Sequence, residues 1–347
     1  MTTSWPDVLT GLIAGRDLGA DTARWAMDQI LAGEATPVQI AGFAVALRAK
    51  GETAAELTGL AQAMLDRATP ILLPSDAVDV VGSGGDRANT VNVSTMAAIV
   101  AAACGVPVVK HGNRAASSAC GTADCLEALG VALNIPPDAQ ATVLADVGIV
   151  FLFAPLYHPS LRHAGAARKE LGVQTAFNFL GPLANPARPQ AQAVGVANAA
   201  LAPRVAGVIA GRGNRGVVFH GDDGLDELTT TTWSQVWLVA GREVTQTTLD
   251  PLELGLARAR PQDLVGGDPA HNAQVVREVL AGRPGPVRDI VALNAAAALL
   301  AYDGPDATQP VAAQLAPRLE RVAGAIDSGA AAGLLERWIG ASRAAAG

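Results

Sequence analysis

Lysine is scarce in this chain: three residues, Lys50, Lys110 and Lys169, stand against 22 arginines. Aromatic residues make up 4% of the 347 and charged residues 16%. So little charge, with half the residues hydrophobic, excludes a disordered chain, which needs the opposite balance. There is no surplus of positive charge. A formal net charge of −7 excludes nucleic acid or an anionic membrane held by bulk attraction, though not a local anion site. No apolar run is long enough to span a bilayer. The longest, Met96–Val109, falls short of about 18 residues and contains Gly105 and Pro107. The opening MTTSWPDV has neither the basic nor the apolar region of a secretory signal. Cysteine is limited to Cys104, Cys120 and Cys125, without Cys-x-x-Cys or a Cys/His cluster. That pattern predicts a reduced, cytoplasmic protein.

The periodicity that is present divides the chain. Residues 5 to about 70 read as helices without a strand. Thr36-Pro37 reads as an N-cap with proline at the first helical position, and Thr53 with Glu56 has capping-box spacing. TPILLPSD (69–76) reads as a linker. Beyond it, short β-branched runs at 78–81, 106–109, 149–153, 217–220 and 236–239 alternate with helical stretches at 94–104, 118–130, 138–146 and 201–211. Such alternation predicts an α/β fold with a largely parallel sheet. GPLANPARP (181–189) reads as a loop, and 268–346 as mostly helical.

Four segments carry chemistry. VGSGGDRANTVNVST (81–95) joins a strand to an apolar helix. Its glycines allow close backbone approach, and Ser-Thr at a helix start adds hydroxyls and a positive dipole end. It reads as a phosphate cradle, or as a glycine turn before a capped helix. KHGNRAASSACGTADCLEALG (110–130) places Lys110, His111, Asn113 and Arg114 beside two serines at a strand end. It suits a phosphate ester, or is a basic surface turn. GDDGLDELTTTT (221–232) holds Asp222, Asp223, Asp226 and Glu227. It suits Mg²⁺ shared with substrate phosphates, or is a solvated acidic loop. The stretch 151–186 gathers five of the eight Phe and Tyr residues around Arg162, His163, Arg168 and Lys169. It suits an aromatic acid held by an arginine, or a core segment with a solvated helix face. No nucleophile-elbow motif GxSxG is present.

In this order the segments resemble the anthranilate phosphoribosyltransferase family. The likeness also includes GEATPVQIAGFAVALRAKGET (33–53), FLFAPLYHPSL, RKELGVQTAFNFLGPLANP and RDIVALNAAAALL (288–300), and covers nearly the whole chain. The resemblance implies a small N-terminal α-helical domain (1–72), joined in space by helices from about 160–185. The rest (73–347) would be a large α/β domain with a mixed, mainly parallel sheet flanked by helices. It also implies a homodimer built through the helical domain. The activity implied is Mg²⁺-dependent transfer of phosphoribose from phosphoribosyl diphosphate to anthranilate, in tryptophan biosynthesis, with two ions per subunit. By the same resemblance, Gly82, Gly85, Asp86, Thr90, Asn92, Val93, Ser94 and Thr95 surround phosphoribosyl diphosphate. Lys110, His111, Gly112, Asn113, Arg114, Ala115, Ala116, Ser117, Ser118 and Thr122 complete that site, with Lys110 acting electrostatically. Gly82, Asn113 and Arg168 contact anthranilate, and Ser94, Asp226 and Glu227 hold metal. The chain departs from the family pattern at Arg87, where glycine is frequent, at Ala119-Cys120, where Lys-Ser is usual, and at Gln174, where arginine is frequent. A pyrimidine nucleoside phosphorylase and a non-catalytic nucleic-acid-binding paralogue are the rival readings. The acidic pair and Arg168 disfavour the first, and the acidic charge disfavours the second.

Overall fold

The computed structural model describes residues 3–115 and 119–347; Ala116, Ser117 and Ser118, expected in the phosphate site, lie outside the described residues. The chain opens with helices α1 (Trp5–Ile13), α2 (Ala20–Ala32), α3 (Pro37–Lys50) and α4 (Ala54–Asp66). The N-caps of α3 and α4 are the ones the sequence signals. Thr36 Oγ1 accepts the Gln39 N–H at 3.3 Å, and Gln39 Oε1 accepts the Thr36 N–H at 2.9 Å. Glu56 closes the matching box at Thr53 and also accepts the Leu18 N–H and pairs with Lys50 at 3.0 Å. The α4 cap therefore doubles as a buried tie between elements.

The second part runs β1 (Val78–Gly82), α5 (Val93–Ala103), β2 (Val108–Gly112), α6 (Thr122–Leu129), α7 (Gln140–Val147), β3 (Ile149–Phe153), α8 (Ala154–Tyr157) and α9 (Arg162–Leu171). It continues through β4 (Ala191–Gly195), α10 (Ala202–Gly211), β5 (Arg215–Gly221), β6 (Ser234–Ala240) and β7 (Glu243–Leu249). It ends with α11 (Pro269–Leu280), α12 (Pro286–Asp303), α13 (Val311–Asp327) and α14 (Ala330–Ala346). Seven strands form one sheet in the order β3-β2-β1-β4-β5-β6-β7. The first five are parallel, and β6 and β7 are antiparallel. No described helix is long and apolar enough to cross a membrane.

Strand residues alternate between two cores, as the period of two requires. Val80, Ala193, Val217 and Leu238 face the core built with α5 and α12–α14. Val81, Val194, Val218 and Trp237 face the core that continues through α10 into the N-terminal helices. Ala164 and Ala167 of α9, with Phe177 and Phe179 beyond it, join that second core beside Met27, Ile30 and Phe43. Each fully buried Leu, Ile, Phe or Met contributes about 1.5–3 kcal/mol.

Three local expectations change. β2 covers 108–112 rather than 106–109, so Lys110 and His111 lie within the sheet and not in a basic surface turn. α6 starts at Thr122 rather than 118, because Gly121 is its N-cap residue and Asp124 Oδ2 accepts the Gly121 N–H at 3.0 Å. β4 has no β-branched run to announce it, and β7, although it holds Val244, Thr245, Thr247 and Thr248, escaped the sequence reading as a strand. β4 is Ala-Gln-Ala-Val-Gly, buried throughout, and β7 is a polar, mostly exposed edge.

Candidate active site

Strand order reverses direction at β1, since β2 and β3 lie on one side and β4 and β5 on the other. Ligands of open α/β sheets bind at such switch points, beyond the strand C-termini. Here the C-terminal ends of β1 and β2 open into a cleft of about 340 Å³. Met64 of α4 and Arg168 of α9 form part of its other wall, so it lies between the N-terminal helical bundle and the sheet.

The loop after β1 is held at three places. The Gly84 N–H donates to Asp226 Oδ2 at 2.7 Å. Asn92 Nδ2 donates to the Cys120 carbonyl at 3.1 Å, and Asn92 Oδ1 accepts from Asn272 Nδ2 at 2.8 Å. Thr90 bridges to Val265. The Asn92 side chain is thus committed to joining two loops at the N-terminus of α5. The strand ends are glycine for a steric reason. A Cβ at Gly82 would overlap Asp226 Oδ2, and one at Gly195 would overlap the Asp226 carbonyl. Arg87 occupies φ +61° and Asn89 φ +51°, a region costly to any residue with a Cβ. The departure at Arg87 therefore falls where glycine is favoured. Gln174, another departure, reaches this loop by donating from Nε2 to the Gly85 carbonyl at 3.5 Å.

Of the described residues expected in the site, Gly82, Gly85, Asp86, Thr90, Asn92, Val93, Ser94, Lys110, His111, Gly112, Asn113, Arg114, Ala115, Thr122, Arg168, Asp226 and Glu227 all line this one cleft. Thr95 does not; it is buried in the first turn of α5, and its hydroxyl has no hydrogen-bond partner among the described residues. Arg114 lines the cleft with its charge already engaged by Asp124 and Glu127, both at 2.9 Å. Arg168 is different. It lies 5.6 Å above the Phe177 ring, and no ion pair among the described residues includes it. Burial holds its pKa below the usual arginine value.

Charge is concentrated on the sheet side. Lys110 is 1% exposed, donates to the Val80 carbonyl, and lies 3.3 Å from Ser94 Oγ. Burial lowers its pKa, against the fields of Asp79, Glu227 and Asp226. Burial raises Asp226 to about 7, helped by the adjacent Asp86, with which it shares a hydrogen bond. Burial and Asp226 push Glu227 well above the usual range, and the Ser94 N–H bonds to it. Asp86 is likewise raised by burial. Among the described residues no three acidic, His or Cys groups form a ready-made metal cage. The donor set nonetheless fits Mg²⁺, which takes one or two carboxylates and shares its remaining positions with water and substrate phosphates.

Two groups escaped the sequence reading. Asp79, inside the apolar run Val-Asp-Val-Val, is fully buried beneath the cleft and raised by burial to about 6. It accepts from Asn185 Nδ2 at 2.9 Å and from the His111 N–H at 3.2 Å. His158 lines the cleft, its ring 5.3 Å from that of His111. A charged residue in an apolar strand was the available signal for Asp79. His158 had only its place in an aromatic segment. Each imidazole faces a backbone carbonyl, His111 Nδ1 toward Gly181 and His158 Nε2 toward Ala184. A carbonyl can only accept, so those nitrogens carry the protons. Burial, with His158 adding to it, holds His111 down at about 3.

The family model described as glycosyl transferase family, helical bundle domain, matches residues 6–68, and that described as glycosyl transferase family, a/b domain, matches residues 74–332. An anthranilate phosphoribosyltransferase from Acidothermus cellulolyticus is 58% identical over 346 residues, covering 100% of this chain and 97% of its own length. The crystal structure of the Thermus thermophilus enzyme of that name superposes with a TM-score of 0.89 at 40% identity, over 97% of this chain and 99% of its own. The Saccharomyces cerevisiae enzyme in complex with PRPP and Mg superposes at 0.88 with 27% identity, over 98% of both chains. The same yeast enzyme in complex with 4-fluoroanthranilate gives 0.85 at 26% identity over 99% of both chains. Neither rival reading finds a counterpart among these relatives. With identity this high over nearly its full length, the chain belongs to the anthranilate phosphoribosyltransferase family.

Proposed function

We propose that this chain displaces diphosphate from C1 of phosphoribosyl diphosphate with the amine of anthranilate, giving N-(5-phosphoribosyl)anthranilate in tryptophan biosynthesis. One observation carries the reading. A glycine-rich loop at a helix N-terminus, a buried acidic pair and an arginine with no acidic partner among the described residues share one cleft.

In this reading Gly82, Gly85, Asp86, Thr90 and Asn92–Ser94 surround the phosphoribosyl diphosphate, and Lys110–Ser118 with Thr122 complete its site. Backbone N–H groups of the glycine loop between β1 and α5 meet its negative charge. Lys110 acts as a buried countercharge to the carboxylates around it and so keeps the site's field balanced. Ser94, Asp226 and Glu227 hold Mg²⁺, two ions per subunit. A divalent cation bound there neutralises the charge that builds on the departing diphosphate. Arg168 grips the anthranilate carboxylate through two parallel N–H bonds, while Gly82 and Asn113 contact the ring and amine. An aromatic amine is already unprotonated at neutral pH. The protein therefore needs no strong base, and orientation supplies much of the rate.

The same proposal includes a division at residue 72, a cytoplasmic location and a homodimer. Ile13, Val38 and Val45 support the dimer: they are 79%, 81% and 45% exposed on the neighbouring helices α1 and α3, a face that a second copy would cover. Light scattering tests the dimer. The activity is tested by the loss of anthranilate fluorescence on adding phosphoribosyl diphosphate and Mg²⁺. Unchanged fluorescence with both present would overturn it.

A further inference from the structure

At the opposite end of the sheet, next to the starts of β4 and β5, lies a second cavity of about 180 Å³. Arg188, Arg212, Asn214, Asn185, Gln192 and Gln62 line it. Its amides are largely committed. Asn185 Nδ2 donates to Asp79 and to the Val109 carbonyl, Gln192 Nε2 to the Pro182 carbonyl at 2.8 Å, and Asn214 Nδ2 to the Pro189 carbonyl at 3.2 Å. The arginines are not. Among the described residues Arg212, the C-cap residue of α10, makes one side-chain hydrogen bond, from Nη2 to the Leu183 carbonyl at 2.8 Å. A guanidinium has five N–H donors. No ion pair among the described residues includes Arg212. The nearby acid is Asp66 at the rim, 3.7 Å from Arg188 and already paired with Arg24 at 2.7 Å. The two cations are therefore close together with little to neutralise them. Burial, and then the charge of Arg188, hold the Arg212 pKa down at about 10, as expected of a cation without a counter-ion.

We propose that this cavity is a second, non-catalytic site that binds a small oxyanion of the phosphate class between Arg188 and Arg212. Planar guanidinium forks match phosphate oxygens. The volume lies below the roughly 300 Å³ at which ordinary small-molecule sites begin, so the occupant is a free oxyanion rather than a nucleotide or sugar phosphate. Arg188 is placed for the task by a turn in which its N–H donates to the Asn185 carbonyl at 3.0 Å. The same segment starts at Gly181 and Pro182, which line the catalytic cleft.

The test is calorimetric titration with inorganic phosphate, the cleft first being filled with phosphoribosyl diphosphate and Mg²⁺. One site should remain in the wild type and weaken at least tenfold in both Arg188→Gln and Arg212→Gln, with KM for both substrates unchanged. Arg188 is half-exposed on a loop, so its variant keeps the test valid if Arg212→Gln fails to fold. Ribose 5-phosphate should bind at least tenfold more weakly than phosphate at this site. Crystals soaked in selenate should show an anomalous peak between the two guanidinium groups, a readout independent of any assignment of the cleft. Absence of that peak, an isotherm unaffected by both substitutions, or a preference for the sugar phosphate would each overturn the proposal.

Discussion

Asp226 Oδ2 accepts the Gly84 N–H at 2.7 Å, across 142 residues of sequence. The glycine loop and the acidic turn are therefore one structural unit. A carboxylate that fixes the loop's backbone also lies beside Glu227, Asp86 and Lys110. Any change of charge on Asp226 is felt by the loop that would cover a diphosphate.

That coupling gives a pH prediction. The folded-state pKa of Asp226, about 7 through burial and then Asp86, is above its unfolded value near 3.8. Between those values the folded protein holds more protons than the unfolded chain, so this group's contribution to stability falls as pH rises. Without a divalent cation, the Tm difference between wild type and Asp226→Asn should shift against the wild type from pH 4 to pH 7. Mg²⁺ dependence should weaken in Asp226→Asn and in Glu227→Gln. Thermal melts across pH, and activity titrated with Mg²⁺, check both.

Arg168→Ala should raise the apparent KM for anthranilate about 10- to 100-fold, the loss expected for a charge-assisted hydrogen bond of roughly 1.5–3 kcal/mol. The KM for phosphoribosyl diphosphate should change less than threefold. Equal effects on the two substrates in steady-state kinetics would remove Arg168 from the carboxylate role.

His111 gives the opposite sign. Its folded-state pKa, lowered to about 3 by burial and then by His158, lies below the unfolded value near 6.5. In that window the unfolded chain binds more protons, so this contribution is complete above about pH 6.5 and is lost as pH falls toward 3. His111→Gln should flatten the acid limb of the Tm-against-pH curve. An unchanged slope would show that His111 is protonated in the folded protein.

Much of this was legible in the sequence because it was written locally. The caps at Thr36 and Thr53, the glycines before α5 and the β-branched strands all act within a few residues of themselves. What was not legible depended on distant partners. β4 is a strand because β1 and β5 flank it; small residues such as Ala191 and Ala193 do not announce it. Lys110 reads in sequence as a cation for a phosphate ester or, failing that, as part of a basic surface turn, and neither reading foresees a buried one. Its burial depends on Asp79, Asp226 and Glu227 arriving from two other segments. Arg114 and Arg168 both read as cations for a ligand's negative charge, the first for the diphosphate and the second for anthranilate. Only the fold shows that Asp124 and Glu127 engage the first while the second lines the cleft with no ion-pair partner among the described residues.

Arg87→Gly should stabilise the protein by about 1 kcal/mol, the typical cost of left-handed backbone at a residue with a Cβ, less the chain entropy that glycine adds to the unfolded state. The φ of +61° at Arg87 is the basis. Urea denaturation would detect the gain as a higher midpoint with an unchanged slope. A lower midpoint would mean that the arginine side chain contributes more than the backbone strain costs.

Gly195→Ala separates positioning from folding. A Cβ at Gly195 would overlap the Asp226 carbonyl and come within 3.1 Å of the Phe219 ring. β1 and β5 hold β4 on both sides along its length, so the strand cannot retreat easily. The overlapping atom belongs to Asp226, so relief should come from outward movement of Asp226. Overpacking of this kind costs typically 1–3 kcal/mol, which a large core tolerates. The site should tolerate it less well, because displacing Asp226 moves both a proposed metal ligand and the acceptor of the Gly84 N–H. The expected outcome is a folded protein with a modestly lowered Tm, a kcat reduced at least tenfold and a weaker response to Mg²⁺. Full activity with unaltered Mg²⁺ dependence would show that the position of Asp226 is not critical, and would count against the acidic pair as the metal site.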